Sequence, residues 1–118
     1  MTINYGKNET SLVVAVDGDI DHHSAAEIRE KIDKAFLRAN ARHIIIDFTN
    51  VGFIDSSGVG MMIGRYKMLK NRGESGKLIA VCGSDSGIKR LFDVTGLTKI
   101  TICAENVEKA LKMVGGGA

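Results

Sequence analysis

The stretch HIIIDFTNVGFIDSSGVGMMIGRYK, residues 43–67, runs from a strand pattern through a short loop into a helix pattern. Its first part is apolar and rich in isoleucine, which is typical of a strand covered on both faces. From Val59 to Lys70 the apolar residues recur every three or four positions, which predicts a helix. The loop between them ends in DSSG, residues 55–58. This order of elements is the repeating unit of an α/β fold.

The same alternation extends upstream and downstream. Two extended segments, Ile3 to Lys7 and Ser11 to Asp17, are separated by a polar turn and predict a hairpin. A helix over residues 24–39 follows, with Ser24 as its cap and Glu27 completing a capping box. Downstream, strands in KLIAVC (77–82) and KITIC (99–103) alternate with helices in DSGIKRLFDVTG (85–96), ended by Gly96, and NVEKALKMV (106–114).

The pattern predicts an α/β fold: a single domain over residues 1–114, with a mostly parallel sheet of four to five strands and about four helices. The glycine-rich residues 115–118 are expected to form a flexible tail. The order of the strands within the sheet does not follow from the sequence.

Composition excludes several classes of protein. A chain of 118 residues builds one hydrophobic core. The net charge of +2 and the aromatic content of 5% give no basic, aromatic surface for nucleic acid. No segment reaches the roughly 20 apolar residues of a membrane span, and the N-terminus lacks a signal-peptide pattern, so we expect a cytoplasmic protein without membrane insertion. Cys82 and Cys103 follow apolar runs and predict buried, reduced thiols.

The DSSG loop has a structural interpretation and a functional one. Asp and Ser are among the best helix N-caps, so one of them is expected here in any protein. The start of a helix also offers unpaired N–H groups and a positive dipole end, which would stabilise a phosphate on a serine. Gly58, Gly60 and Gly64 each weaken the following helix by about 0.5–1 kcal/mol relative to alanine. This predicts close approach of another backbone, from the same domain or from a partner.

The helix over 59–70 is predicted to bury one face and to expose another. The predicted core stripe is Val59, Met62, Ile63, Tyr66 and Leu69. The second face is Met61, Gly64, Arg65 and Met68, and exposed methionine and arginine indicate a binding surface.

Enzymatic motifs do not fit this loop. The P-loop spacing fails because Gly58 and Gly64 are six residues apart, and the dinucleotide fingerprint fails because Ile63 replaces a required glycine. FIDSS, residues 53–57, is not a hydrolase nucleophile elbow. We therefore expect no enzyme activity and no cofactor.

DHHS, residues 21–24, suggests a metal-dependent phosphoesterase, but the further carboxylate and histidine clusters that such a site needs are missing. Asp19, Asp21 and Asp55 could meet at one sheet edge, but so small a set is nonspecific for a cation. DHHS is better interpreted as the loop that enters the first helix, and no metal site is expected.

Three segments resemble the STAS domain of bacterial anti-sigma factor antagonists, most closely those of sporulation: FIDSSGVGMMIGRYK (53–67), GDIDHHSA (18–25) and IKRLFDVTGLTKI (88–100). The likeness runs from about residue 3 to 113. It implies a switch without catalysis, in which the unphosphorylated protein binds an anti-sigma factor serine kinase and frees the sporulation sigma factor. The kinase uses ATP to phosphorylate and release the antagonist, and a membrane-bound serine phosphatase resets it.

The resemblance places the phosphate on the second serine of DSSG, which is Ser57. The expected partner-binding residues are Asp21, Asp55, Ser56, Ser57, Gly58, Gly60, Met61, Gly64, Arg65 and Met68. A phosphate adds about −1.5 to −2 charges, so a partner shaped for a neutral hydroxyl would be released without a large conformational change. Two alternatives stay open: a STAS module of another stress-response sigma pathway, and a small phosphate- or nucleotide-binding protein using Asp21, His22 and Asp55.

Overall fold

The computed structural model describes residues 2–8, 10–72, 76–83 and 86–114, and within them strands and helices alternate as predicted. The elements are β1 Thr2–Asn8, β2 Ser11–Asp17, α1 His22–Ala39, β3 His43–Asn50, α2 Ser56–Asn71, β4 Leu78–Val81, α3 Gly87–Thr95, β5 Ile102–Ala104 and α4 Val107–Met113. A 3₁₀ turn, Leu97–Lys99, precedes β5. The predicted C-terminal tail and Glu9 of the predicted turn lie outside the described residues.

The strands form one sheet in which spatial order equals chain order, β1-β2-β3-β4-β5. β1 runs antiparallel to β2, with Thr2 opposite Asp17, and this confirms the predicted hairpin. β2 to β5 are parallel, as the predicted α/β fold requires. The carboxyl ends of these four strands therefore share one edge of the sheet, where ligand sites of open α/β folds are found.

Helices cover both faces of the sheet. Successive isoleucines of β3 point to opposite faces, so the sheet divides the one core expected from the chain length into two: Ile44 and Ile46 join one core and Ile45 joins the other. The larger core also contains Phe36 of α1, Met62 of α2 and Phe92 of α3, whereas Ala110 of α4 packs in the smaller core. No helix of the described segments is long and apolar enough to cross a membrane.

The starts of α1, α2 and β5 differ from the prediction, and α2 begins at Ser56, three residues before Val59, because Asp55 caps it. The N-cap of α1 is Asp21, and Ser24, predicted as the cap, is the third helical residue of a capping box with it. Asp21 Oδ1 accepts from the Ser24 N–H at 2.9 Å, and Ser24 Oγ accepts from the Asp21 N–H at 2.7 Å. β5 starts only at Ile102, because the preceding residues form the 3₁₀ turn, which is secured by a 2.7 Å bond from Thr101 Oγ1 to the Leu97 carbonyl. Gly96 ends α3 in the left-handed conformation as predicted, with φ +81°.

The predicted faces of α2 are partly wrong. Met61 and Arg65, expected on an exposed face, are only 5% and 7% exposed, and Ile63, expected in the core, is 37% exposed. Met68 is half-buried against the core. The reason is that α2 packs against α1 as well as against the sheet, so its buried face is turned toward α1.

The two cysteines differ in their surroundings. Cys82 is buried as predicted, and Cys103 is half-buried. Burial, with the neighbouring Cys103 thiol as a second cause, raises the pKa of Cys82 to about 11. A protonated thiol is a poor nucleophile, so Cys82 acts as a small core residue.

His43, buried at the start of β3, is expected to make stability depend on pH. Its Nδ1 accepts from the Lys77 N–H at 3.0 Å, so this nitrogen is unprotonated in the fold. Burial lowers the pKa of His43, with the nearby Arg42 and Lys77 charges adding to the effect. The unfolded chain takes up a proton near pH 6.5 while the folded chain resists it, so stability present above that pH is lost as the pH falls.

Urea denaturation at pH 7.5 and pH 5.5 tests this expectation. We expect the wild type to lose up to about 1 kcal/mol between the two pH values from this residue. In His43→Asn the amide oxygen can still accept the hydrogen bond from the Lys77 N–H, but it does not titrate. The part of the stability loss that comes from position 43 is therefore expected to disappear. An equal loss in both proteins would assign the pH dependence to other groups.

Candidate functional site

The loops after β2 and β3 are joined by backbone hydrogen bonds. Ile20 N–H donates to the Phe53 carbonyl at 2.8 Å, and Asp55 N–H donates to the Ile20 carbonyl at 3.0 Å. Ile20 and Ile54 form a short parallel bridge beyond the ends of the two strands. As a result, α1 and α2 begin side by side at the carboxyl edge of the sheet.

Carboxylates cap the first turns of both helices. Asp55 Oδ1 accepts from the N–H groups of Ser57, at 2.8 Å, and Gly58, at 3.2 Å. Asp21 caps α1 in the same way, and the hydrogen bonds from the Ser24 backbone and side chain lower the pKa of Asp21. Unpaired N–H groups were expected at the start of α2, where they would stabilise a phosphate. This expectation is wrong for Ser57 and Gly58, because the N–H groups of both residues already donate to Asp55.

Ser57 faces the start of α1. Its side chain is half-buried, whereas its neighbour Ser56 is exposed. Ser57 Oγ lies 3.4 Å from Nδ1 of His22, the first residue of α1. Sequence reasoning treated His22 as a loop residue and missed this contact. The signal was the repeated Ile-Asp pair, residues 20–21 and 54–55, which marks equivalent positions at the ends of the neighbouring strands.

A groove of about 370 Å³ opens between α1 and α2 beside Ser57. Its lining is His22, Ala25, Ala26, Arg29, Ser57, Gly60, Met61, Gly64 and Arg65. The titratable side chains among these residues are basic, and four of the others are alanine or glycine. The groove therefore offers accessible helix backbone and positive charge next to a serine hydroxyl.

The three glycines of α2 have different roles. A Cβ on Gly58 would lie 2.3 Å from Ile54 Cγ2 and 2.9 Å from Ile20 Cγ2, so packing of the two joined loops requires glycine there. A Cβ on Gly60 or Gly64 would meet no atom within 4 Å. Both lie on the groove, and the packing of the described residues gives no reason for them.

Arg65 lies at the base of the groove with its guanidinium almost fully buried. Its Nε is 3.1 Å from Asp33 Oδ1 of α1, an ion pair without the geometry of a hydrogen bond. Its Nη1 has no hydrogen-bond partner among the described residues. Burial lowers the pKa of Arg65, and the Asp33 charge opposes this effect.

The structure brings most of the predicted site residues together. Ser57, Gly60, Met61, Gly64 and Arg65 line the groove, and Asp21, Asp55, Ser56 and Gly58 lie at the two helix starts beside it. Met68 lies further along α2 and does not line the groove. Within the described part of the chain, no group of three or more His, Cys, Asp or Glu residues could hold a metal ion.

Phe53 is a surface residue of this edge that sequence reasoning did not single out as a binding residue. It is 54% exposed, although it is large and apolar. The Phe53 carbonyl accepts a hydrogen bond from the Ile20 N–H, so the backbone that carries the exposed ring is held in place. A single exposed apolar side chain is ordinary on a protein surface, so Phe53 is of interest only for its position just before the DSSG loop.

The fold and the site together are those of a small α/β binding domain. The sequence pattern of the STAS domain family matches residues 2–110. The chain belongs to the STAS domain family.

Within this family, the chain is similar to several anti-sigma factor antagonists. The chain is 37% identical over 100 residues to an anti-sigma F factor antagonist of Paenibacillus polymyxa, covering 85% of this chain and 83% of the relative. It is 34% identical over 100 residues to an anti-sigma-B factor antagonist of Bacillus subtilis (strain 168), covering 85% and 87%. The solved structure of the anti-sigma factor antagonist SpoIIAA in its unphosphorylated form superposes with a TM-score of 0.75 and 26% identity, over 98% of this chain and 99% of that one.

Proposed function

We propose that this chain, with residues 1–114 as its STAS domain, is an anti-anti-sigma factor of sporulation, switched by phosphorylation on Ser57. Unphosphorylated, it binds an anti-sigma factor that is also a serine kinase, and the sigma factor is released for transcription. The kinase uses ATP to phosphorylate Ser57, which dissociates the complex. A serine phosphatase then removes the phosphate and restores the binding form. The chain itself is not an enzyme in this scheme. The observation that carries the proposal is Ser57 at the mouth of a groove lined by two open glycines.

The position of Ser57 suits a phosphorylation switch. Asp55 fixes the first turn of α2 by accepting hydrogen bonds from the Ser57 and Gly58 N–H groups. The backbone is therefore expected to keep its conformation both with and without a phosphate on the Ser57 side chain. A phosphate adds about −1.5 to −2 charges close to the Asp55 carboxylate. The fold is expected to persist while the surface changes from a neutral hydroxyl to a bulky anion, which is enough to repel a partner built for the hydroxyl.

The binding surface follows from what the fold leaves open. Gly60 and Gly64 allow a partner's backbone to approach α2 closely, and their packing environment does not otherwise require them. Phe53 and Ile63 are exposed apolar side chains, on the loop before α2 and on α2 itself. A few well-packed side chains provide most of the binding energy in protein interfaces, and we expect Phe53 to be one of them. Relatives of both the sigma-F and sigma-B classes match, so a stress-response pathway is the second candidate.

A competition experiment tests the function and separates the two pathways. Complexes of anti-sigma factor and sigma factor, one of the sporulation type and one of the stress type, are titrated with the unphosphorylated chain. We expect release of the sporulation sigma factor only. Release of the stress sigma factor alone would move the chain to the second pathway, and release of neither would contradict the proposed function.

Glycine variants provide the matched controls for this titration. Gly64→Leu fills the groove and is expected to weaken release about tenfold or more, a loss of roughly 1.4 kcal/mol. Gly87→Leu places the same side chain in open space on α3, outside the groove, and is expected to leave release unchanged. Equal behaviour of the two variants would place the binding surface elsewhere.

A further inference from the structure

We propose that the chain binds its own phosphate: His22, with Arg29 behind it, forms an anion clamp that holds phosphorylated Ser57 in the mouth of the α1–α2 groove. This inference rests on the proposed phosphorylation of Ser57. It adds an intramolecular ligand site and a role for two residues of α1 that the switch itself does not require.

The distance between His22 and Ser57 is the first step. Nδ1 of His22 lies 3.4 Å from Ser57 Oγ, the atom to which a phosphoryl group would be attached. The phosphate oxygens would therefore reach the imidazole without movement of either helix. His22 is exposed, so its ring can turn to meet them.

The start of α2 does not supply these contacts. Asp55 already accepts the N–H groups of Ser57 and Gly58, and its carboxylate would repel a neighbouring phosphate. Asp21, the N-cap of α1, adds a second carboxylate at this edge of the sheet. A phosphate at Ser57 thus needs a basic partner, and the His22 ring lies within 3.4 Å of the hydroxyl to which the phosphate would be attached.

The groove adds a second basic group. Arg29 follows His22 by seven positions, about two helical turns, and both line the groove that Ser57 enters. Arg65 at the base is ion-paired with Asp33, but its buried Nη1 has no hydrogen-bond partner in the described chain, so a donor is left open at the base of the groove. These charges favour a phosphate turned into the groove over one that points to solvent.

The clamp gives phosphorylation a second way to exclude the partner. A phosphate drawn toward Arg29 would lie across the mouth of the groove, over the surface left open by Gly60 and Gly64. The modified side chain would thereby block the approach of the partner's backbone as well as repel it.

The test uses the full chain with phosphoserine incorporated at position 57 during synthesis, so that no kinase or anti-sigma factor is needed. The pH midpoint of the second ionisation of the phosphate is measured by phosphorus NMR. In His22→Gln and in Arg29→Gln we expect the midpoint to rise by about 0.5–1 pH unit, because a cation that stabilises the dianion is lost. His23→Gln, an equal change of charge on the neighbouring exposed residue, is expected to leave it unchanged.

An unchanged midpoint in either His22→Gln or Arg29→Gln overturns the clamp, and so does an equal shift in His23→Gln. Because the phosphate is installed without a kinase, failure of the clamp leaves the proposed switch intact. Conversely, a chain that no anti-sigma kinase modifies would still show whether the clamp exists.

Discussion

Replacing Ser57 by aspartate is expected to weaken binding to the anti-sigma factor about a hundredfold or more while the domain stays folded. The carboxylate would stand at the mouth of the groove beside Asp55, where the partner meets a neutral hydroxyl in the wild type. A charge placed in an interface without a matching group on the partner protein costs about 2–5 kcal/mol, and a hundredfold change corresponds to about 2.7 kcal/mol. Isothermal titration calorimetry with the unphosphorylated wild type as reference measures the effect.

The neighbouring serine provides the control for this variant. Ser56 is exposed and does not line the groove, so Ser56→Asp introduces the same charge one residue away. We expect it to weaken binding much less than Ser57→Asp does. Full affinity of Ser57→Asp, with the wild-type circular dichroism spectrum, would contradict release by local charge and bulk.

Replacing Gly58 by alanine is expected to cause the largest loss of stability. The added Cβ would lie 2.3 Å from Ile54 Cγ2, inside the contact that joins the loops after β2 and β3. Overpacking of this kind costs about 1–3 kcal/mol, and this is a severe case. Gly60→Ala, with nothing within 4 Å of the new atom, is expected to raise stability by about 0.5–1 kcal/mol through helix propensity.

Urea denaturation of the two variants tests this contrast. Because Gly58 also neighbours Ser57, loss of partner binding in Gly58→Ala would not by itself separate fold from function, so the free energy of unfolding is the quantity to compare. Similar stability of Gly58→Ala and Gly60→Ala would show that the joined loops can move to accept the added Cβ. The start of α2 would then not be rigidly fixed.

The sequence predicted the elements well because each one carries a local signal. The apolar run of β3, the polar turn before β2 and the left-handed Gly96 need only neighbouring residues to be recognised. The start of β5 was wrong because the 3₁₀ turn before it depends on the bond from Thr101 to Leu97. The order of the strands depends on pairing between distant segments, for which no local pattern exists.

The sequence predicted the loop of the candidate site, DSSG, but not the residues that surround it in the fold. A cap at DSSG was predicted because capping is a local pattern, whereas Ser57 was expected to carry the phosphate from the resemblance to the STAS family. The contact of His22 with Ser57 arises from backbone bonds between two loops that lie more than 30 residues apart. The burial of Met61 and Arg65 follows from the packing of α2 on α1, which helical periodicity alone does not contain.

The most direct test of the switch is mass spectrometry of the chain after incubation with ATP and its anti-sigma kinase, with peptide mapping. We expect one phosphate, on Ser57, and none in Ser57→Ala. A phosphate on Ser56 would keep the class of protein and move the switch by one residue. No modification by a kinase that is active on another antagonist would contradict the account, and DSSG would then be only the cap of α2.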